Sequence, residues 1–556
     1  MSRVVPPVSI ALILATSLAS AQDRPIPSRP PAELAAMPSH ASGLRGAVVA
    51  GGSEAVAAGV ATLEAGGNAV DAAVTTLLAQ TVTDSGSFCF GGEVPILVYD
   101  AARGVVEVIA GQGAAPRLAT PGRFDKEGGI PARGIESAAV PATPDALLTV
   151  LDRFGTRTFA EVAAPTLRIL DRREQPWHAD LARTIRRLIE AERGSADRRR
   201  GLRLAADAFY RGPIAREIDA WSRAHGGLLR YGDLAAHVTR VEEPVTADYR
   251  GFTVVKCGPW TQGPALLQAL QLLDGFDLRA MGPGSPAAIH VSAEALKLAF
   301  ADRDAYYADP LFSDVPLAAL LAPGYVAKRR ALIDLGRASL ELRPGDPVHG
   351  QALLKGVGTP DGKGGPANDT STCLVADRSG NVVAATPSGW SGVLAGETGV
   401  WLGSRLQSLD TRAGHPNVIE PGKRPRVTLT PTLVLKGGKP AFAVSVAGGD
   451  LQDQVTLQVL ENLIDFQLSA EAAVTAARFQ TDHHVGSFRQ TPPKLGDLGV
   501  DAGLDAGTAE ALKALGHRVR AVRPPIAAPT VLRINLESSR VDAAGDPRAG
   551  RHAAAP

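Results

Sequence analysis

Apolar residues recur along this chain with two periods. Short runs rich in β-branched residues, Gly46 to Ala50, Val94 to Tyr99, Thr372 to Ala376, Val382 to Thr386, Thr432 to Leu435 and Ala441 to Val446, read as strands. Two turn sequences, Arg378-Ser379-Gly380-Asn381 and Lys436-Gly437-Gly438-Lys439, join the last four into two hairpins. Between the strands the period lengthens. Val56, Val60 and Leu63 share a face after Ser53, a candidate cap, and Gly66-Gly67 ends that helix. Asn68 then caps a second helix striped by Val70, Val74, Leu77 and Leu78. From Ala142 to about Leu335 the pattern is mostly helical: Leu147 to Phe154, Phe159 to Leu170, Ala179 to Ala191, Ile214 to His225, and a helix with Ile289, Ala293, Leu296 and Phe300 on one side. A further helix carries Val455, Val459, Leu460, Leu463 and Ile464. Helices beside hairpins predict an α+β fold with helices packed on sheet. Ser538 to Pro556 shows no period and reads as a disordered tail.

The segment 344–369 breaks both periods. It holds Pro344, Gly345, Pro347, Gly350, Gly356, Gly358, Pro360, Gly362, Gly364, Gly365 and Pro366, so neither a helix nor an interior strand can run through it. It reads as an exposed, flexible loop ending at Asp369, with Thr370 at the mouth of the hairpin that follows. A threonine hydroxyl is a poor nucleophile until a base takes its proton. Cutting the chain before Thr370 would supply one, the residue's own α-amine, whose pKa of roughly 7.7–8.0 leaves much of it neutral near pH 7 to 8. A second candidate feature is Gly448-Gly449-Asp450 ahead of a helix, where exposed N–H groups lie at the positive end of the dipole and suit an oxyanion.

Composition narrows the classes. The 58 Lys and Arg nearly balance 57 Asp and Glu, giving a net charge of +1 and no electrostatic case for nucleic acid or an anionic membrane. With 3 cysteines, Cys89, Cys257 and Cys373, a disulfide scaffold is excluded and at most one intramolecular bridge is possible. Cys373, close to Thr370, reads as a small buried hydrophobe rather than a catalytic thiol. None of the 11 histidines shows a metal spacing with carboxylate or Cys partners, so no metal or other cofactor is expected, and His290 reads as structural. At the start, Arg3 precedes an apolar run from Val8 to Leu18 and then Ala19-Ser20-Ala21, the pattern of a signal peptide over residues 1–21. The run is too short to span a bilayer, so the expectation is an exported protein, periplasmic or secreted, without a membrane anchor.

Taken in order, these residues resemble one family. Gly66-Gly67-Asn68-Ala69-Val70-Asp71-Ala72-Ala73 is similar to the opening helix signature of the γ-glutamyltranspeptidases, which are N-terminal nucleophile hydrolases. Phe209-Tyr210-Arg211-Gly212, Tyr249-Arg250-Gly251, Leu273-Asp274-Gly275-Phe276-Asp277-Leu278 and Glu294-Ala295-Leu296-Lys297-Leu298-Ala299 match its middle. Asp369-Thr370, Val375-Ala376-Asp377, Gly380-Asn381, Gly422-Lys423-Arg424-Pro425, Thr430-Pro431-Thr432 and Gly448-Gly449 complete the series. The resemblance implies a four-layer αββα sandwich and a precursor that cuts itself between Asp369 and Thr370. The products would be a large subunit over 22–369 and a small catalytic one over 370–556. It implies that Thr370 is the nucleophile of both processing and catalysis, that Ser388 stands where a family threonine orients the new amine, and that Gly448 and Gly449 form the oxyanion hole.

The substrate positions depart from the family. Its arginine for the glutamyl α-carboxylate falls at Gln112, its acidic positions for the α-amine fall at Arg405 and Ser408, and of a serine pair only Thr428 keeps a hydroxyl, beside Val427. Gln112, Arg405, Thr428 and Asp450 are therefore the candidate substrate-binding residues, and losing a charged clamp typically costs a few kcal/mol, enough to undo recognition of a zwitterionic glutamyl group. If Arg405 lined the pocket it would favour a carboxylated substrate. The expected function is an amidohydrolase or acyltransferase acting on a γ-glutamyl-like or other carboxylated small amide or peptide. The alternatives are true transfer from glutathione and an exported binding protein without catalysis.

Overall fold

Alternation along the strands decides the layering. Val48 and Ala50 lie with Cys373 and Val375 in a core shared with helices, whereas Ala47 and Val49 lie with Leu374 and Ala376 in a core shared with a second sheet. The same switch occurs between Leu433 and Val434 and between Ala443 and Val444. A period of two buries both faces of each sheet, one against helices and one against the other sheet. The result is the αββα sandwich expected from the sequence.

The computed structural model describes residues 37–125, 129–354, 362, 364 and 370–556. The expected signal peptide, Asp369 and most of the last part of the 344–369 segment lie outside the described residues. One sheet runs, edge to edge, His40–Gly43, Val541–Gly545, Ala528–Ile534, Lys439–Ala447, Thr432–Lys436, Phe252–Lys256 and Val245–Tyr249. A second runs Arg551–Ala554, Gly46–Gly51, Cys373–Asp377, Val382–Ala385, Val94–Asp100, Val105–Gly111 and Arg240–Glu242, and a small third sheet joins Phe479–Gln480, Asp497–Asp501 and Arg518–Val522. Helices Ser53–Glu64, Ala69–Thr83 and Thr143–Phe154 cover the second sheet, and Gly263–Leu273 and Leu451–Ile464 cover the first, with Pro286–Tyr306 packed on Gly263–Leu273. Asn68 caps as expected, accepting from the Val70 and Asp71 amides while Asp71 returns a carboxylate to the Asn68 amide. Ser53 is not a cap: Gly52 holds that position with no side-chain bond.

Two expectations fail. Residues 538–556 are not a disordered tail. Val541–Gly545 pairs with both Ala528–Ile534 and His40–Gly43, and Arg551–Ala554 forms the edge strand on Gly46–Gly51. Apart from Val541 these strands hold Asp, Ala, Gly, Arg and His, residues with little strand preference of their own, and pairing imposes the conformation. Nor is the front of the 344–369 segment a loose loop. The buried Asp302 carboxylate accepts from the Gly345 amide at 2.7 Å, Arg329 donates to the Ala352 carbonyl, and Asp346 and Gln351 pair across a turn. Gly and Pro exclude helix there, but docking onto Pro286–Tyr306 fixes it.

Ending the chain after Gly550 should therefore destabilise it. Removing the edge strand takes away Ala553, which is fully buried, and leaves Gly46–Gly51 paired on one side only; a loss of about 2 kcal/mol or more is expected. A lowered denaturant midpoint would register it, and an unchanged midpoint would mean the strand is dispensable.

Candidate active site

Thr370 sits where the register puts it. It pairs with Ser388 across the mouth of the hairpin, and Ser388 pairs on its other side with Glu93, exchanging two backbone bonds of 2.9 and 3.0 Å. Gly92 permits this closeness, since a Cβ there would lie 2.2 Å from the Ser388 carbonyl oxygen. Helix Ala69–Thr83 locks the start of the strand: the Gln80 amide donates to Ser371 Oγ and to the carbonyls of Gly51 and Thr372. The Thr370 Oγ1 to Ser388 Oγ distance is 3.2 Å, a hydroxyl pair with Ser388 fully buried and Thr370 7% exposed.

The glycine turn is delivered by the other sheet. Ser445, three residues before Gly448, donates to the Ala385 carbonyl and meets the Thr386 hydroxyl at 2.9 Å, so the strands leading to Gly448 and to Ser388 are bonded to each other. Gly448 and Gly449 have φ of 151° and 59°, values that L side chains rarely adopt. Among the described residues neither of their amides donates a hydrogen bond within the protein, and both lie just before helix Leu451–Ile464. That leaves donors at the positive end of a helix. A cavity of about 580 Å³ is bounded by Thr370 and Gly448 together, with Asp450, His484, Phe488 and Arg551 in its wall.

Asp450 is held on its protein side. Arg303 Nη1 donates to it at 2.5 Å, and Ser487 donates from both its amide and its hydroxyl. Burial alone would raise the carboxyl, but the Arg303 guanidinium, His484 and Ser487 outweigh it and keep the group well below the usual carboxylate range.

The other expected substrate positions do not meet at this cavity. Gln112 lines a separate hollow with Arg117, Asp309 and Arg424, its Nε2 donating to the Gly113 carbonyl. Thr428 is fully buried and is not in the wall beside Thr370. Arg405 is the clearest correction. It is buried behind Phe488, which does line the cavity, and its guanidinium is bound to Glu93 at 2.6 Å and to Ser388 Oγ at 2.7 Å. An arginine already bound to a buried carboxylate is no open clamp for a substrate anion. Sequence reasoning missed Glu93, a lone charge entering an apolar strand, as well as Arg303, His484 and Arg551.

Cys373 is buried, and burial pushes its thiol well up, in line with a packing role. The histidines are less simple than spacing suggested. His290 and Glu294, one turn apart on Pro286–Tyr306, meet His517 with ligand atoms all within 4.8 Å. Glu294 there is bound by Lys297 at 2.6 Å and Arg343 at 2.7 Å, and His290 Nδ1 lies 2.8 Å from His517 Nε2, so the ligand atoms are engaged in an ion-pair network. No helix among the described residues is long and apolar enough to cross a membrane.

Asp450→Ala would leave Arg303, fully buried, without its carboxylate, and should cost about 3–5 kcal/mol by chemical denaturation. A cost below about 1 kcal/mol would mean that the pair does not anchor the glycine turn.

Comparison with known proteins agrees with this architecture. The family model described as gamma-glutamyltranspeptidase matches residues 55–172 and 168–556. The chain is 32% identical over 547 residues to the acylase ACY 1 proenzyme of Pseudomonas sp. (strain SE83), covering 90% of this chain and 91% of that one. It is 30% identical over 470 residues to the glutathione hydrolase proenzyme of Bacillus subtilis (strain 168), covering 78% and 79%. Among solved structures, cephalosporin acylase from Bacillus halodurans superposes with a TM-score of 0.79 at 27% identity, covering 97% of this chain and 99% of that one. The protein whose Thr370, Ser388 and paired glycines are described above belongs to the γ-glutamyltranspeptidase family.

Proposed function

We propose that this chain is an exported precursor that cuts itself before Thr370 and then works as an N-terminal-threonine amidohydrolase or acyltransferase. The observation that carries this reading is Thr370, its hydroxyl 3.2 Å from that of Ser388, lining the same cavity as Gly448. In processing, Thr370 Oγ1 attacks the Asp369 carbonyl carbon, the peptide C–N bond breaks to leave an ester and a free α-amine, and water cleaves the ester. In turnover the amine takes the Thr370 hydroxyl proton as Oγ1 attacks the substrate amide. The Gly448 and Gly449 amides receive the oxyanion, the departing amine takes the proton back, and water or a second amine releases the acyl group.

The acyl group is proposed to carry a carboxylate. Arg551 and Lys494 stand in the cavity wall beside Asp450 and Asp482, with Lys494 bound to Asp482 at 2.9 Å, while Gln112 and Arg405 do not form the glutamyl clamp there. Relatives that include an acylase proenzyme and a glutathione hydrolase proenzyme fit a family in which the acyl pocket varies while the nucleophile stays. The leader over 1–21 supports export, to the periplasm or beyond. No nucleic acid or membrane partner is proposed.

Incubation with γ-glutamyl and glutaryl anilides, with the small fragment followed by mass, tests the reaction. The expected result is a transient acyl adduct on the peptide beginning at Thr370, absent in Thr370→Ala. An adduct elsewhere, or anilide hydrolysis at wild-type rate in Thr370→Ala, would remove Thr370 from the mechanism.

A further inference from the structure

Ser388 is contacted from two sides. Its Oγ lies 3.2 Å from Thr370 Oγ1 and accepts from Arg405 Nη2 at 2.7 Å, and the same guanidinium donates from Nε and Nη2 to Glu93 Oε1 at 2.6 Å each. Glu93 is 2% exposed and Arg405 and Ser388 fully buried. The backbone fixes the order independently, because Ser388 is bridged to Thr370 on one side and to Glu93 on the other. A buried ion pair is a poor way to add stability, since desolvation offsets most of the attraction. One placed against the partner of a nucleophile calls for another account.

We propose that Arg405, held in place by Glu93, is a positioning residue that acts on Thr370 through Ser388. A guanidinium only donates, so the Ser388 hydroxyl hydrogen is turned away from Arg405. Of the two directions that the 3.2 Å contact allows, the proposed one has Ser388 donating to Thr370 Oγ1. A Ser388 hydroxyl that donates to Thr370 Oγ1 leaves the threonine's own hydrogen directed at its α-nitrogen, the base in the reaction above. It also brings the polarisation of a fixed cation to the oxygen on which charge develops. Glu93 sets the guanidinium plane and balances its charge, so that the new α-ammonium is not left facing an uncompensated cation. The inference rests on Thr370 being the nucleophile and replaces the role of Arg405 as a substrate clamp.

The test uses the full chain with Arg405→Lys, Arg405→Met, the paired Glu93→Gln/Arg405→Met, Ser388→Ala and Ser388→Ala/Arg405→Met. Cleavage before Thr370 is timed by intact mass, kcat and KM for γ-glutamyl anilide are measured on the cleaved product, and thermal unfolding is followed alongside. Arg405→Met should slow cleavage and kcat on the order of 10²-fold with KM changed less than about threefold, and Arg405→Lys should recover part of the loss. The paired variant leaves no buried lone charge, so it should fold and still be slow. On the Ser388→Ala background, Arg405→Met should add less than about threefold, because both changes remove one interaction.

Wild-type rates in the paired variant, a rise in KM with kcat kept, or a penalty that adds in full to Ser388→Ala would each overturn the proposal. If Arg405→Met and the paired variant fail to fold, Arg405→Lys decides: a loss confined to kcat and cleavage supports the proposal, and an unchanged rate with a lowered melting temperature refutes it. Failure of the underlying reading looks different: wild type itself stays uncut, or Thr370→Ala is cut equally well.

Discussion

The antiparallel register through Ser388 is the constraint on which the site depends. One residue pairs backbone to backbone with Glu93 and with Thr370, and its side chain touches the partners of both. A slip of one position along either strand would turn the hydroxyl to the opposite face. Much nearby detail serves that register: glycine at 92, where no side chain fits, Gln80 bonded to three groups at the start of the Thr370 strand, and helix Ala69–Thr83 capped at both Asn68 and Asp71. The helix signature and Thr370 are separated by some three hundred residues in sequence, yet the helix holds the start of the strand.

Placing the site at the meeting of two sheets explains how a hydroxyl from one and amides from the other share a cavity. The Thr386–Ser445 contact joins the strands just before Ser388 and just before Gly448, so the two halves are bonded to each other. The charges around them are paired inside the protein. Asp450 is bound to Arg303 and Ser487, Arg405 to Glu93, and Lys256 to Asp453 at 2.9 Å with both side chains buried. Such pairs are costly to desolvate and penalise any arrangement that parts them, which makes them devices of position as much as of stability.

The layered fold was legible because two periods, 2 and 3.6, alternate along the chain and the hairpin turns carry Gly380, Gly437 and Gly438 where φ is positive. The place of Thr370 at the hairpin mouth and that of the glycine turn ahead of a helix were legible from local sequence. The partners were not. Arg405 looked like an open cation because the carboxylate that binds it lies 312 residues earlier. Arg551 fell in a stretch of Ala, Gly and Arg whose strand exists only through pairing with Gly46–Gly51. Gln112, expected from the resemblance to stand in the substrate site, lines a different hollow. Long-range pairing, rather than local preference, decided each of these.

The most direct measurement is the intact mass of the purified chain with N-terminal sequencing of every fragment, beside Thr370→Ala. The account predicts two fragments from the wild-type chain, the smaller beginning at Thr370, and a single uncut chain from the variant. An uncut wild-type chain after prolonged incubation, or cleavage at the same bond in Thr370→Ala, would contradict it.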